Sequence, residues 1–302
     1  RNAAIETRHS CVPIDWYSKP HPFSERNDLF IKNAVDLLAK VAEKLFAEAG
    51  IEAADVDGLV VVSTTGIATP SLDALLLERL PFRRDVQRLP IFGLGCGGGV
   101  TGLARAAQMA MTRPDSCVLF LVVELCGLTF RVNDISKSNI IATALFGDGA
   151  AGALLGCGLE GPAVKAWGEH TWEDSLDVMG WEIGDDGLGV LFSRDIPHLV
   201  RTKLGEPAKR FLEGQGLTVG DIVRNACHPG GSKVLDALEE LYELPEGGLV
   251  TARKVLRENG NMSAATAMFI LSETLKDGAP GPWLMSALGP GFTATFALLE
   301  AD

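Results

Sequence analysis

Cysteine is scarce, with six in 302 residues, too few for a disulfide scaffold in a chain of this length. Cys11, Cys96, Cys117, Cys126, Cys157 and Cys227 form no CxxC pair and no Cys/His spacing suited to a metal. They read as reduced thiols of a cytoplasmic protein without a metal site. No apolar run approaches the ~18 to 20 residues that span a bilayer; the longest, such as Val118–Val123, have the length of a strand. Positive charge is in deficit as well: 27 Lys+Arg against 39 Asp+Glu leave a net −12, with a pI near 4.9. That argues against nucleic acid or an anionic membrane as partner, though a local basic patch can still hold an anionic small molecule. A signal peptide is missing, and the first residues, RNAAIETRHS, read as mid-protein. What is present is a 47% hydrophobic, 22% charged chain, which excludes disorder and fits two domains or one large α/β domain.

Apolar residues recur at helical spacing over 28–49 and stop at Gly50, while GLVVVS (58–63) is a continuous β-branched run. Ser71 is placed to cap a helix through Leu80, and strand 88–94 leads through a glycine-rich turn to a helix over Gly98–Met111. Strand 116–124, a helix over 139–146 and strand 150–156 complete this half. The second half predicts strands at 163–170 and 188–192, a helix over 197–212 and a strand entering Asn225-Ala226-Cys227. Helices over 232–242 and 262–276 follow, then strands 282–288 and 293–300. Each half ends alike, with Phe146-Gly147-Asp148-Gly149 or Leu288-Gly289-Pro290-Gly291 before an apolar strand. The pattern predicts two similar α/β halves, 1–158 and 159–302, with a Gly/Pro seam at 156–162.

Gly93-Leu94-Gly95-Cys96-Gly97-Gly98 satisfies GxGxxG between a strand and a helix, and Glu124 ends the next strand where a ribose-binding acid would lie. That is the pattern of a nicotinamide oxidoreductase. Against it, the turn falls nearly a hundred residues into the chain and holds a cysteine. A cysteine at the mouth of a helix feels unpaired N–H groups and the positive dipole end, which favour a nucleophilic thiolate. The glycines allow close approach and offer N–H groups to an oxyanion. The plainer alternative is a buried structural thiol.

Of five histidines, His9, His21, His170 and His198 lie in ordinary polar contexts. His228, in Cys-His-Pro-Gly-Gly-Ser, lies at a strand end, where α/β sites gather. Asn261 precedes an alanine-rich helix, which Asn259 or Asn261 could equally cap. Cys96, His228 and Asn261, each on a glycine-flanked turn, suit thioester chemistry. The thiolate takes an acyl group, while two neutral donors stabilise the enolate left when a malonyl thioester loses CO₂.

These motifs in register resemble the type III polyketide synthases, the chalcone and stilbene synthase family, in a bacterial-type form. The resemblance runs from Ile5 to the C-terminus through Gly95-Cys96, ELCGLTF (124–130), ALFGDGAA (144–151), CHPGGS (227–232), GNMSAA (260–265) and GPGFT (289–293), with 33 positions from His228 to Asn261. It implies a thiolase-like fold of layered αβαβα form and a homodimer. It also implies decarboxylative Claisen condensation of malonyl-CoA onto an acyl starter taken from acyl-CoA, repeated and closed to an aromatic or pyrone, with CoA thioesters as substrates and no cofactor. Cys96 matches the nucleophile, and His228 and Asn261 match the decarboxylation and condensation pair. Phe146 matches the gatekeeper between CoA tunnel and cavity; its plainer reading is a core residue. Thr64, Thr65, Cys126, Thr129 and Ser263 match cavity-lining positions, and Gly289, Pro290 and Gly291 match the loop that scaffolds the cavity. Thr69 matches a residue that reaches across the dimer, and Asp148 is expected to hold its turn. Val190 stands where plant members carry a second gatekeeper aromatic, and Cys126 where they carry threonine. Judged by family length, about fifty residues would precede Arg1, and the cations that grip CoA phosphates would fall around or before it. A ketoacyl-carrier-protein synthase of the priming type uses the same three residue types. It usually follows its histidine with glutamine and asparagine, unlike Pro229-Gly230-Gly231.

Overall fold

The computed structural model describes residues 3–156 and 160–301. The proposed division after residue 158 and Cys157 therefore lie outside the described residues. The N-terminal half forms one four-stranded sheet, ordered β2 (Gln87–Ile91), β1 (Gly58–Val62), β3 (Cys117–Leu125), β4 (Asp148–Gly156). The C-terminal half forms another, ordered β5 (Ala163–Thr171), β10 (Thr293–Glu300), β9 (Trp283–Gly289), β8 (Arg224–Cys227). A hairpin of β6 (Met179–Gly184) and β7 (Gly187–Phe192) stands apart from both.

The internal resemblance seen in the sequence is a resemblance of topology. In the first half β1 pairs parallel with β3, β3 antiparallel with β4, and helix α3 (Gly98–Ala110) lies between β1 and β3 in the chain. In the second half β8 pairs parallel with β9, β9 antiparallel with β10, and helix α9 (Ala264–Leu275) takes the place of α3. The two helices pack on each other as the middle layer between the sheets. Outside the first sheet lie α1 (Phe23–Ala49) and α2 (Leu72–Arg79), sealing a core of Phe30, Leu38, Leu59, Leu119 and Leu121. The segment Ile196–Glu213, α7 (Ser232–Leu241) and α8 (Val250–Asn259) cover the second, and α4 (Lys137–Leu145) packs on β7. The expected αβαβα layering is therefore present. Among the described residues no helix is long and apolar enough to cross a membrane.

Both middle helices are buried on nearly all sides, which explains their small residues. A Cβ on Gly99 of α3 would stand 2.2 Å from the Ala264 carbonyl oxygen of α9. Only glycine allows that approach.

Several elements differ from their sequence expectation. Helix α1 starts at Phe23 rather than 28, because Pro22 supplies the extended residue before it. Ser71 holds the N-cap position of α2 but its hydroxyl makes no capping bond. The 88–94 strand ends at Ile91, and the 197–212 helix is three pieces, α5 (Ile196–Leu199), a π-turn (Val200–Leu204) and α6 (Gly205–Glu213). Strand β6 and helix α8 have no counterpart in the expectation. Neither Asn259 nor Asn261 caps α9; Ser263 holds the N-cap position, at φ 48°, and its hydroxyl makes no capping bond.

Candidate active site

The pseudo-symmetry of the halves brings Cys96, Asn261 and Ser263 together and sets His228 at the end of a strand of the second sheet. Cys96 sits on a 3₁₀ turn, Gly95–Gly97, that runs into α3. Asn261 and Ser263 immediately precede α9, and His228 follows β8. The N-termini of both middle helices thus open on the same place, with their unpaired N–H groups and positive dipole ends.

Cys96, His228 and Asn261 are all buried, Asn261 completely. The Cys96 thiol faces the Ser263 hydroxyl, Sγ to Oγ 3.8 Å, with the Asn261 side chain close enough to influence its titration. Asn261 Oδ1 accepts the Ser263 N–H at 2.8 Å, which turns its amide nitrogen away from the backbone and fixes its orientation. That nitrogen, and both ring nitrogens of His228, are buried with no hydrogen-bond partner among the described residues. Buried polar atoms are nearly always paired in folded proteins. The Asn261 amide, which offers donors, and the neutral His228 ring, which offers one N–H and one acceptor nitrogen, are thus left for a bound molecule.

Burial controls the charge of the site. The sequence suggested that the helix mouth would favour the Cys96 thiolate. Instead desolvation, with a lesser contribution from Glu124, pushes the thiol up to about 12, against the opposing pull of Ser263 and Asn261. Desolvation alone drives His228 down to about 3, so its ring is neutral at pH 7. Glu124 is the charged member that the sequence reading placed in the wrong role. Its carboxylate accepts from Thr64 N at 3.0 Å, Thr65 Oγ1 at 2.9 Å and Ser263 Oγ at 3.3 Å, and burial raises it to about 7.

That finding overturns the nicotinamide reading. Glu124 is fully buried and spent on internal bonds, so it cannot reach a ribose. The glycine turn packs on protein rather than facing a pyrophosphate. A Cβ on Gly95 would lie 2.7 Å from Pro290, and one on Gly289 would lie 2.5 Å from the Leu94 carbonyl.

A narrow cavity opens from Cys96, walled by Thr64, Thr65, Cys126, Thr129, Phe146, Val190, Ser263 and Pro290 among the positions the resemblance pointed to. Gly289 and Gly291 flank Pro290 without lining it. Thr69 is exposed and lines no part of its own chain's cavity. Gly95, Met179, Gly180 and Trp181, with Leu191 and Phe192 of β7, complete the wall and were missed as lining residues, those of β6 because that strand went unrecognised. Phe146 is half-buried, meets Phe192 edge-on at 6.3 Å, and also lines a wider outer cleft with Cys126, Thr129 and Val190. It therefore stands between two chambers. Its peptide is fixed to the catalytic turn, since Asn261 N–H donates to Leu145 and Gly147 N–H to Asn261. Arg8 reaches the same turn from the outer cleft, donating to the carbonyls of Thr143 and, at 3.0 Å, Phe146. Asp148 holds its turn as expected, accepting from Gly127 N–H at 2.7 Å and Cys11 N–H at 2.8 Å.

Two packed central helices, one starting at a buried cysteine and the other just after an asparagine and serine beside it, between two sheets of matching topology, have the form of a condensing enzyme of the thiolase fold. The family models for the N-terminal and C-terminal domains of chalcone and stilbene synthases match residues 16–159 and 172–300. The chain belongs to that family and is a type III polyketide synthase, an acyltransferase. It is 39% identical to a putative chalcone synthase of Bacillus subtilis, over 99% of this chain and 87% of that one. It is 40% identical to the 1,3,6,8-tetrahydroxynaphthalene synthase of Streptomyces peucetius, over 99% of this chain and 81% of that one. Among solved structures, the 1,3,6,8-tetrahydroxynaphthalene synthase of Streptomyces coelicolor superposes with a TM-score of 0.95 at 26% identity, covering 100% of this chain and 87% of that one.

Proposed function

We propose that the protein builds a small aromatic or pyrone polyketide by loading an acyl group from acyl-CoA onto Cys96 and extending it with malonyl-CoA. The observation that carries the roles is the set of unpaired buried nitrogens of His228 and Asn261, with the Asn261 side chain close to the Cys96 thiol. In loading, Cys96 sulfur attacks the thioester carbonyl, the bond to CoA sulfur breaks, and CoA leaves with a proton. A lone thiolate and a lone imidazolium are each costly here, but a proton passed from Cys96 to His228 makes two opposite charges that offset each other's desolvation.

Malonyl-CoA then places its thioester oxygen against His228 and Asn261. The carbon–carboxylate bond breaks, CO₂ leaves, and the electron pair becomes an enolate whose oxygen those donors hold. A neutral ring and an amide suit that anion, and removing one such donor costs roughly 10²–10³ in rate. The enolate carbon attacks the acyl group on Cys96, a carbon–carbon bond forms, and the carbon–sulfur bond to Cys96 breaks. The product is a CoA thioester two carbons longer, ready to reload. Phe146 and Val190 stand where the growing chain passes between chambers.

The functional unit is a cytoplasmic homodimer. Strand β2 is the edge of its sheet, paired only with β1, and leads to Phe92, 57% exposed; Ile67, 47% exposed, lies nearby in sequence to Thr69. A second copy would cover this apolar edge and place Thr69 at its neighbour's cavity.

The test is product analysis with malonyl-CoA and acyl-CoA starters of increasing length. An aromatic or pyrone product should appear only with malonyl-CoA and vanish in Cys96→Ala. Binding of NADH without any thioester turnover would overturn the proposal.

A further inference from the structure

The hairpin β6–β7 supplies more of the cavity wall than any other element: Met179, Gly180, Trp181, Val190, Leu191 and Phe192. Yet it belongs to neither main sheet. Besides its packing on α4 and against Phe146 and Phe23, three hydrogen-bonded attachments hold it. At its base Ser193 N–H donates to Val178 at 2.8 Å. In its middle the Trp181 indole donates to the Thr64 carbonyl at 2.9 Å. At its tip, between Gly184 and Gly187, Asp186 is gripped by two arginines of the main body. Arg131 closes on the Asp186 carboxylate with both Nε, at 2.6 Å, and Nη2. Arg26, itself buried, donates to the Asp186 carbonyl while its other nitrogen holds the carbonyls of Leu128 and Phe130, each at 3.3 Å.

The tip contact bears directly on the cavity. Arg131 lies across Gly189, where a Cβ would meet its Nη1 at 2.3 Å. Gly189 precedes Val190, and Val190 pairs with Trp181 in the hairpin register. The guanidinium therefore fixes both the tip and the height of the strand that carries Val190 and Phe192. Arg131 is only 21% exposed and stays engaged with Asp134 at 3.5 Å as well. Two side chains clear of Cys96, His228 and Asn261 thus determine where one cavity wall stands.

We infer that Arg131 and Asp186 form a clasp that positions the β6–β7 hairpin and thereby sets how many malonyl units are added before the chain leaves the cavity. The inference rests on the polyketide-forming reading above. Both residues are positioning residues; neither touches the reacting atoms. Releasing the clasp leaves loading at Cys96 intact and changes the space into which the chain extends.

The experiment compares wild type with Asp186→Ala, Arg131→Ala and the pair, using malonyl-CoA with acyl-CoA starters from acetyl to palmitoyl. Product lengths are read by mass spectrometry, Cys96 acylation in a single turnover, and folding by thermal midpoint. Each single variant should change the ratio of longest product to triketide pyrone by about threefold or more, with acylation unchanged. The double variant should add little to either single one, because both break the same contact. Asp186→Glu should restore the wild-type ratio, and Asp186→Asn serves if the alanine variants do not fold. Ratios that stay at the wild-type value in folded variants would overturn the clasp. So would an equal fall in every product together with acylation. A wild type that makes no polyketide would instead strike the reading beneath it.

Discussion

Glu124 offers a quantitative test of how dry this site is. It sits at 0% exposure on β3, flanked by apolar residues, with Cys96 and Ser263 beside it. Hydrogen bonds from Thr64, Thr65 and Ser263 offset part of the desolvation, yet its carboxyl still rises from 4.5 to about 7. For an acid whose folded value lies above its unfolded one, ionisation destabilises the fold. The cost is absent below about 4.5, grows with pH and is complete above about 7. A shift of roughly 2.5 units at 1.36 kcal/mol per unit gives about 3 kcal/mol lost by alkaline pH. Glu124→Gln removes the titration but leaves a buried amide without an acceptor, which costs about 1–3 kcal/mol at every pH. The variant should therefore be the weaker protein at pH 5 and close the gap, or reverse it, at pH 8.5. Cys96 and Cys126, the thiols that feel the Glu124 charge, stay protonated in the fold over this range, so the change in the difference isolates Glu124. Urea unfolding at the two pH values measures it. A difference that stays constant within about 1 kcal/mol would refute the reasoning.

Gly99→Ala should cost about 2 kcal/mol or more, because the new methyl meets the Ala264 backbone oxygen and forces the middle helices apart; urea midpoints measure this. Asn261→Ala should lower malonyl-CoA decarboxylation by about 10²-fold or more while single-turnover acylation of Cys96 persists, since only the enolate step needs the free amide nitrogen. Val190→Phe should shorten the products by filling the space beside Phe146 and Phe192, as read by product mass.

The candidate catalytic groups stood out in the sequence because each sits on a turn rich in glycines that the packing or the backbone requires. Gly95 and Gly289 meet where the nucleophile turn packs on the Pro290 loop, and Gly260, at φ 73°, delivers Asn261. The repeated order of strand, helix and two strands was visible as rhythm, since buried strands carry continuous apolar runs. The hairpin was half lost because Met179–Gly184, with two glycines and a glutamate, lacks strand alternation and pairs only with β7. Helix α8 was lost among its charges, for Arg253, Lys254, Arg257 and Glu258 interrupt the short buried stripe of Ala252, Val255 and Leu256. Glu124 was misread for a physical reason. Its position after an apolar strand is the same for a ribose ligand and a buried acid, and only its partners, from segments far apart in sequence, distinguish them. The charge of Cys96 likewise depends on burial, which no local motif expresses.

The most direct test of the account is the mass of the intact protein after exposure to acyl-CoA alone. One acyl group should add to each chain, peptide mapping should place it on Cys96, and malonyl-CoA should then remove it as a longer product. Cys96→Ala should gain nothing. An adduct mapped to Cys126, or none with any thioester on folded protein, would contradict the account.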